Sequence, residues 1–524
     1  MNNLDLRNHN QSRFVTVVLL SLLSCCGASC GGTNREPQLG NEASVTKSSV
    51  ETERQIVVFC SACHATPKAD SFPKDAWYDE VKKGFSFYHQ SGRKDLIPPP
   101  LQTVVEYFRS RAPDALVIRP AEPFLGPKHL FFHPTEVFLS KAAGMKTLPA
   151  ISFVCRWNHG TDSTPGLLIN DMAAGGIYRW SQRFSERAPQ LIALLKNPAA
   201  ASFCDLNGNG QPDLVVADLG SFNPADHDLG RVVWLPDVDN EKQSRDGQPL
   251  CERLGRVADV QPADFDGDGD IDLVIAEFGW HKTGRVLWLR NEGDAMSPRF
   301  VPQVLDSRPG AIHVPVVDLN QDGRPDFVAL ISQEFEVIEA FLNQGNGVFE
   351  KHRVFAAEDP AFGSSGIQMV DLDGDGDQDV LYANGDTFDS TLIKPYHGIQ
   401  WLENTGSFPF VRHHLTALPG VHRALAGDLD GDGDLDIVAG TFLSSTLRNA
   451  SGSQQLDSLI WLEQQQPGKF VRHTIEKGNC IHATIELADF DNDGDMDIAT
   501  GSFLDAQSTH KNAVTLWRNQ LHTP

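Results

Sequence analysis

From about residue 128 onward the chain is a succession of short apolar runs separated by polar turns rich in Asp and Gly. Runs such as 435–439 (LDIVA) and 470–475 (FVRHTI) are β-branched and too short for helices, so they predict strands. Two markers repeat through this region. An aspartate-rich loop opens at Asp205, Asp264, Asp318, Asp371, Asp428 and Asp489. An apolar strand ending in an aromatic recurs at Trp180, Trp234, Trp288, Phe341, Trp401, Trp461 and Trp517. Aligning 152–155 with 201–204 places Arg156 and Asn158 where Asp205 and Asn207 stand, which supplies a seventh, degenerate loop. Four short strands per unit of roughly 55 residues is the pattern of a β-propeller, because one four-stranded blade cannot bury both faces alone. The last unit stops after Trp517, and 130–138 (LFFHPTEVF) has the character of its missing fourth strand. The expectation is a mainly β chain: a seven-bladed β-propeller over 128–524, with six blades the main competitor, preceded by a small all-α domain.

The loops carry chemistry. In 264–272 (DFDGDGDID) oxygen ligands fall at positions 1, 3 and 5, with Gly at 6 for the turn and a carboxylate at 9. That is the ligand logic of calcium loops, and several carboxylates in one turn repel unless a cation sits among them. Oxygen donors without His or Cys argue for Ca²⁺ over zinc or copper. The pattern resembles the FG-GAP/VCBS repeat loop of integrin α-subunit propellers and bacterial secreted proteins. The resemblance implies ligands at Asp264, Asp266, Asp268 and Asp272; Asp371, Asp373, Asp375 and Asp379; Asp428, Asp430, Asp432 and Asp436; and Asp489, Asp491, Asp493 and Asp497. With Asn substitutions it implies Asp205, Asn207, Asn209 and Asp213, and Asp318, Asn320, Asp322 and Asp326, which should bind more weakly. Up to about six structural Ca²⁺ ions are expected.

Helical spacing of apolar residues is confined to the N-terminal part: 51–59, 73–89 and 101–111. Between the first two lies Cys60-Ser-Ala-Cys63-His64, the attachment signature of c-type haem, with two thiols for the vinyl groups and a His for the iron. The region 50–116 resembles a class I cytochrome c, which implies covalent haem c on Cys60, Cys63 and His64. A structural zinc or a disulfide at the two cysteines is the competing reading. No Met lies between Met1 and Met145, so His89 is the local candidate for the sixth ligand; a five-coordinate iron or Met145 are the alternatives. A Pro-rich linker spans 117–127.

Before the haem signature, Arg7 and Arg13 precede a ten-residue apolar stretch, 14–23, which has the layout of a secretory signal over 1–24. Leu22-Leu23-Ser24-Cys25 resembles a bacterial lipobox, which implies a lipid on Cys25; a plain signal cut after Ala28 or Ser29 is the alternative. Residues 25–49 read as a flexible tether. The expected place is the bacterial cell envelope, periplasm or surface, with the membrane reached only through the lipid anchor.

Composition narrows the partners. Lys and Arg number 44 against 69 Asp and Glu, a net −25, which argues against nucleic acid. The six loops hold 25 aspartates, as many as the whole net charge. Other candidate residues are His313, His422 and His482 before the loops, expected to converge near the channel, and the polar insertion with Asp386, Lys394, Tyr396 and His397. Cys155, Cys204, Cys251 and Cys480 leave a disulfide open. Three functions follow: a haem electron-transfer protein with the propeller as platform for an unknown redox partner protein or small-molecule substrate; a propeller oxidoreductase reducing its own haem; or a calcium-dependent adhesion or binding module.

Overall fold

The computed structural model describes residues 42–118, 131–139, 148–157, 166–181, 188–239, 247–293, 297–388, 392–450, 452–505, 508 and 510–521. The expected signal, Cys25, nearly all of the Pro-rich linker, Met145 and Asn158 lie outside them. The chain divides into two compact units, Met1–Thr52 and Glu53–Pro524. Of the first, only the start of helix α1 (Glu42–Cys60) is described. That helix begins inside the stretch expected to be tether, since 42–60 contains no Gly or Pro to stop it.

The second unit opens with a small helical body. Helix α2 (Trp77–Gln90) and helix α3 (Leu101–Arg109) follow the Cys60–His64 signature, and Pro98, Pro99 and Pro100 set the start of α3. Ile56, Trp77, Val81, Val104, Val105 and Phe108 form its core, with the Trp77 and Phe108 rings stacked at 4.1 Å.

Seven antiparallel sheets follow, each built from consecutive strands except the last; six have four strands, and the fourth has five because its innermost strand is split in two. The seventh sheet takes its outermost strand, Phe132–Val137, from the beginning of the ring, paired with Val514–Asn519 in the register Pro134 to Trp517. Closure removes the open edge that a six-and-a-half-blade ring would present. The innermost strands, Ile151–Trp157, Pro198–Cys204, Val257–Ala263, Ala311–His313, Ser364–Val370, Val421–Gly427 and His482–Ala488, each touch the next around the circle. Only the fourth is broken, at Pro315, which has no N–H for the ladder; pairing resumes at Val316–Val317.

Burial follows position in the blade. The second strands, from Gly166–Asp171 round to Asp497–Ser502, are buried along their whole length because neighbouring blades cover both their faces. Outer strands such as Gln248–Leu254 are largely exposed to solvent. The aromatic series sits on the third strand of every blade in one of two registers: Trp180 and Trp517 face Leu167 and Ile498, one residue past the loop, while Trp234 and Trp401 face Val215 and Leu381, two residues past it.

Each innermost strand also carries a β-bulge near its start. The extra residue is turned towards the next blade, where Ser152 donates to Pro198 O at 2.8 Å and Ser365 to Val421 O at 2.9 Å.

Candidate functional site

The six intact acidic loops all join an innermost strand to a second strand, and so share one face of the ring. Their geometry is built from the aspartates themselves. Position 1 accepts two backbone N–H groups across the turn, as Asp371 does from Gly374 at 2.8 Å and Gly376 at 2.9 Å. Position 5 accepts from position 7, as Asp432 does from Asp434 at 3.1 Å. Gly376 has φ 98°, a conformation that only glycine adopts cheaply.

Position 9 has a second duty. Asp379 is buried and accepts Leu372 N–H at 3.2 Å, Asn404 N–H at 2.7 Å and the Trp401 indole at 2.9 Å. Asp213, Asp326, Asp436 and Asp497 staple loop to third strand in the same way, and Asp272 bonds Asn291 N–H and the Trp288 indole. In blade 1 the equivalent residue is Gly166, where a Cβ would come within 2.5 Å of Trp180 O, so the degenerate blade has no room for the staple.

Carboxylate oxygens gather in four loops. Asp264, Asp266 and Asp268; Asp428, Asp430 and Asp432; and Asp489, Asp491 and Asp493 bring one oxygen each within 4.8 Å of one another; in the fourth the trio is Asp371, Asp373 and Asp379. Two unit charges at that spacing repel by about 3 kcal/mol at an effective dielectric near 20. Burial, aided by neighbouring carboxylates, pushes Asp272 and Asp379 up to about 6 and Asp436 and Asp497 up to about 7. Asp434 and Asp491 each keep a buried oxygen with no donor. An all-oxygen set with surplus charge and orphaned oxygens fits a hard divalent cation.

In the other two loops, as at Asp266 with Arg290 at 2.8 Å, a polar or basic side chain answers the acidic groups. Asn209 Nδ2 donates to Asp237 at 2.8 Å, while Arg324 pairs with Asp322 at 2.5 Å and Asn320 donates to Asp322 at 2.9 Å. Asp205 and Asp318 keep their position-1 bonds, and Asn207 and Asp375 stand where the repeat places them.

The opposite face holds the connections from second to third strands and from each fourth strand to the next blade. The helical body rests there. Lys68 pairs with Glu358 at 2.7 Å, Ser71 donates to buried Asp359, and Tyr396 Oη donates to Ser71 O at 3.3 Å. Phe87 meets His281 with ring centroids 4.8 Å apart.

In the helical body, Cys60 ends α1 partly buried and Cys63 is exposed; neither forms a disulfide. His64 Nδ1 lies 2.7 Å from Ala65 O, and because a carbonyl only accepts, that nitrogen carries the proton and Nε2 is left as a lone-pair donor. His89 is exposed in the last turn of α2. Val58 is 53% and Ile97 94% exposed, apolar surface that three helices alone do not cover.

The three histidines converge only in part: His422 lies within electrostatic reach of His313, while His482 is turned to Glu476. His482, His422 and His313 occupy the first, bulged and third positions of their strands, so they point differently. His482 is buried against Glu476 at 2.6 Å, His422 spans to Ala483 O at 2.9 Å, and His313 lies 3.8 Å from Asp259. The polar insertion does gather: Lys394 and His397 are buried, and neither ring nitrogen of His397 has a partner. Nearby Glu336, absent from the sequence expectation because no motif marks it, bonds Ser364, whose hydroxyl meets Tyr382; burial pushes Glu336 up to about 8. Cys155, Cys204, Cys251 and Cys480 are all free. Among the described residues no helix is long and apolar enough to cross a membrane.

A model of the FG-GAP-like repeat matches residues 264–329 and 318–382, from the acidic loop of the third blade into the fifth blade. No curated protein matches the chain. Solved structures that resemble it include "Crystal structure of BBS1N in complex with ARL6DN, soaked with lead", at 12% identity and TM-score 0.41, covering 74% of this chain and 96% of that one. Its mercury-soaked counterpart has the same identity and TM-score and is covered over 97%. The chain thus carries FG-GAP-like repeats within a seven-bladed propeller.

Proposed function

We propose that this chain is a cell-envelope electron-transfer protein in which a covalent haem c on Cys60 and Cys63 is carried on a calcium-stiffened propeller. Bound there, the haem supplies a one-electron centre. His64 would hold the iron through the Nε2 that its bond to Ala65 O leaves free, with His89 the candidate for the sixth position. The exposed Val58 and Ile97 offer the apolar contact that a macrocycle needs. Ca²⁺ in the acidic loops would be structural, tying innermost strand to second strand, with the four carboxylate-rich loops tight and the Asp205 and Asp318 loops weak. Cys25 would anchor the protein to the envelope, and the partner would be a redox protein or a small molecule.

The observation that carries this reading is the seating of the CxxCH body on the propeller face away from the acidic loops, where non-repeating residues are free to recognise something. The test is the visible spectrum of the chain matured with haem. Haem retained through denaturation in wild type, and lost from Cys60→Ala/Cys63→Ala, is expected. Unchanged haem-free protein after maturation overturns the reading. A Met–iron band would remove His89 from the sixth position.

A second reading, an oxidoreductase passing electrons to its own haem, is favoured by one observation: the buried Glu336, Tyr382 and His397 beneath the helical body. Reduction of the haem by a small molecule, abolished by His397→Ala while the haem spectrum persists, would favour this over simple electron carriage.

A further inference from the structure

The repeat provides its own controls, and one residue stands out against them. In every blade the residue just before or at the start of the innermost strand uses its carbonyl to accept a backbone N–H from the end of the second strand. The pairs are Ala150 with Met172, Asn197 with Leu219, Arg256 with Phe278, Gly310 with Ser332, Gly363 with Asp386, Gly420 with Phe442, and Ile481 with Phe503. Six of the seven residues are small, amide or aliphatic. The third is an arginine.

Arg256 is 7% exposed. Its Nε has no partner, Nη2 reaches only Phe222 O at a long 3.4 Å, and the guanidinium lies 5.5 Å from the centre of the Phe278 ring. Among the described residues no carboxylate pairs with it, although the chain carries 69 acidic groups. Four other arginines of the propeller are matched, Arg231 to Asp218, Arg285 to Glu277, Arg308 to Asp306 and Arg472 to Asp457, and Arg423, which has no ion pair, still makes a full bond to Ile367 O at 3.0 Å. A guanidinium withdrawn from water without an anion is costly, so its retention needs a compensating partner.

Its surroundings are cationic and aromatic. His227, held to Ser221 at 2.7 Å, is kept below its ordinary range by burial and by the charges of Arg256 and Lys196, which outweigh that of Asp228. Phe222 stacks on Phe503 at 6.1 Å, and Phe503 packs edge-on against Phe388 at 5.2 Å and Phe442 at 5.2 Å. These rings come from blades two, five, six and seven, so they meet over the channel mouth, on the face where the helical body rests. Phe222 and Phe388 remain 41% and 49% exposed.

We infer that this mouth is a binding site for a small organic carboxylate with an apolar or aromatic body. The guanidinium of Arg256 takes the carboxylate through its paired donors, and Phe222, Phe388 and Phe503 take the body. The inference extends the platform reading by naming a ligand class, and needs no haem.

The test is calorimetric titration of the calcium-loaded full chain with phenylacetate, with phenylacetamide and inorganic phosphate as comparisons. Saturable phenylacetate binding is expected, weakened at least tenfold for the neutral amide and for Arg256→Gln. Arg256→Gln should melt no lower than wild type, because it removes an uncompensated buried charge. Phe503→Ala should weaken phenylacetate without restoring amide binding. The inference is overturned if phenylacetate does not bind, if it binds Arg256→Gln equally, if phosphate binds as well as phenylacetate, or if Arg256→Gln melts markedly lower and so exposes a structural role. The haem spectrum, recorded separately, fails or succeeds independently of all of these.

Discussion

The two faces of the ring are made by opposite rules. On one, six loops repeat almost the same nine residues: in each, position 9 staples the sheet, and in four the carboxylates of positions 1 and 3 gather with that of position 5 or 9. On the other, no two connections are alike, and that face carries the helical body, the unmatched Arg256, the Phe cluster and the buried Glu336. Repetition within one chain marks what every blade needs in order to stand. Singular residues on the same frame mark what one place alone is asked to do. The first face is therefore predicted to govern stability and the second recognition.

The largest effect that could break this division is metal removal. Each ion held at about 1,000 times its dissociation constant adds about 4 kcal/mol to folding. Stripping four such sites should lower Tm by about 10–20 °C on the scale of large domains. Calorimetric scans with Ca²⁺ and with chelator measure it directly, and titration should count about four tight ions, the number of carboxylate-rich loops. An unchanged Tm would mean that the loops are solvated turns and the repeat face is not held by metal.

A smaller effect separates the two duties within one loop. Asp379→Asn should destabilise the protein by about 2–3 kcal/mol with or without Ca²⁺, because a buried acceptor of Leu372, Asn404 and Trp401 is weakened. Asp375→Asn should matter only when Ca²⁺ is present, since the one bond its side chain makes in the loop, from Asp377 N–H, is within reach of an amide oxygen. Equal losses in chelator would remove the distinction between staple and ligand.

The repeated face was largely legible in the sequence for the same reason that it is stable. Seven Trp or Phe positions and six loops in one phase force the blade count, and the closing strand at Phe132–Val137 followed from the missing fourth strand of the last unit. Periodicity, however, conveys only what is shared. It placed His313, His422 and His482 in innermost strands but not the bulge that gives each a different position in its strand and leaves His482 on Glu476. It marked position 9 as a ligand but not as a staple, because the donors at the end of the third strand lie far along the chain, as Asn404 lies 25 residues from Asp379. Arg256 was invisible until the blades were superposed, for a single exception needs its six counterparts to be seen. The seating of the helices, through Lys68, Ser71 and Phe87, has no periodic signature at all.

The subtlest prediction uses pH to tell whether the loop charges are compensated. Asp272 and Asp379 lie at about 6, and Asp436 and Asp497 at about 7, when no cation is among them, against an unfolded value near 4. A carboxyl raised in the folded state holds its proton more tightly there, so its contribution is complete below about pH 4 and is lost as pH rises through about 6–7. In chelator, the protein should therefore gain Tm on acidification from about pH 7.5 to 5.5, each two-unit shift being worth at most about 3 kcal/mol. With Ca²⁺ the sign reverses, because the cation favours the ionised carboxylates and protons must displace it. Opposite slopes of Tm against pH in the two buffers are the expected result. Parallel slopes would show that the carboxylates titrate without reference to a cation, and the acidic face would then owe its repetition to the position-9 staple alone.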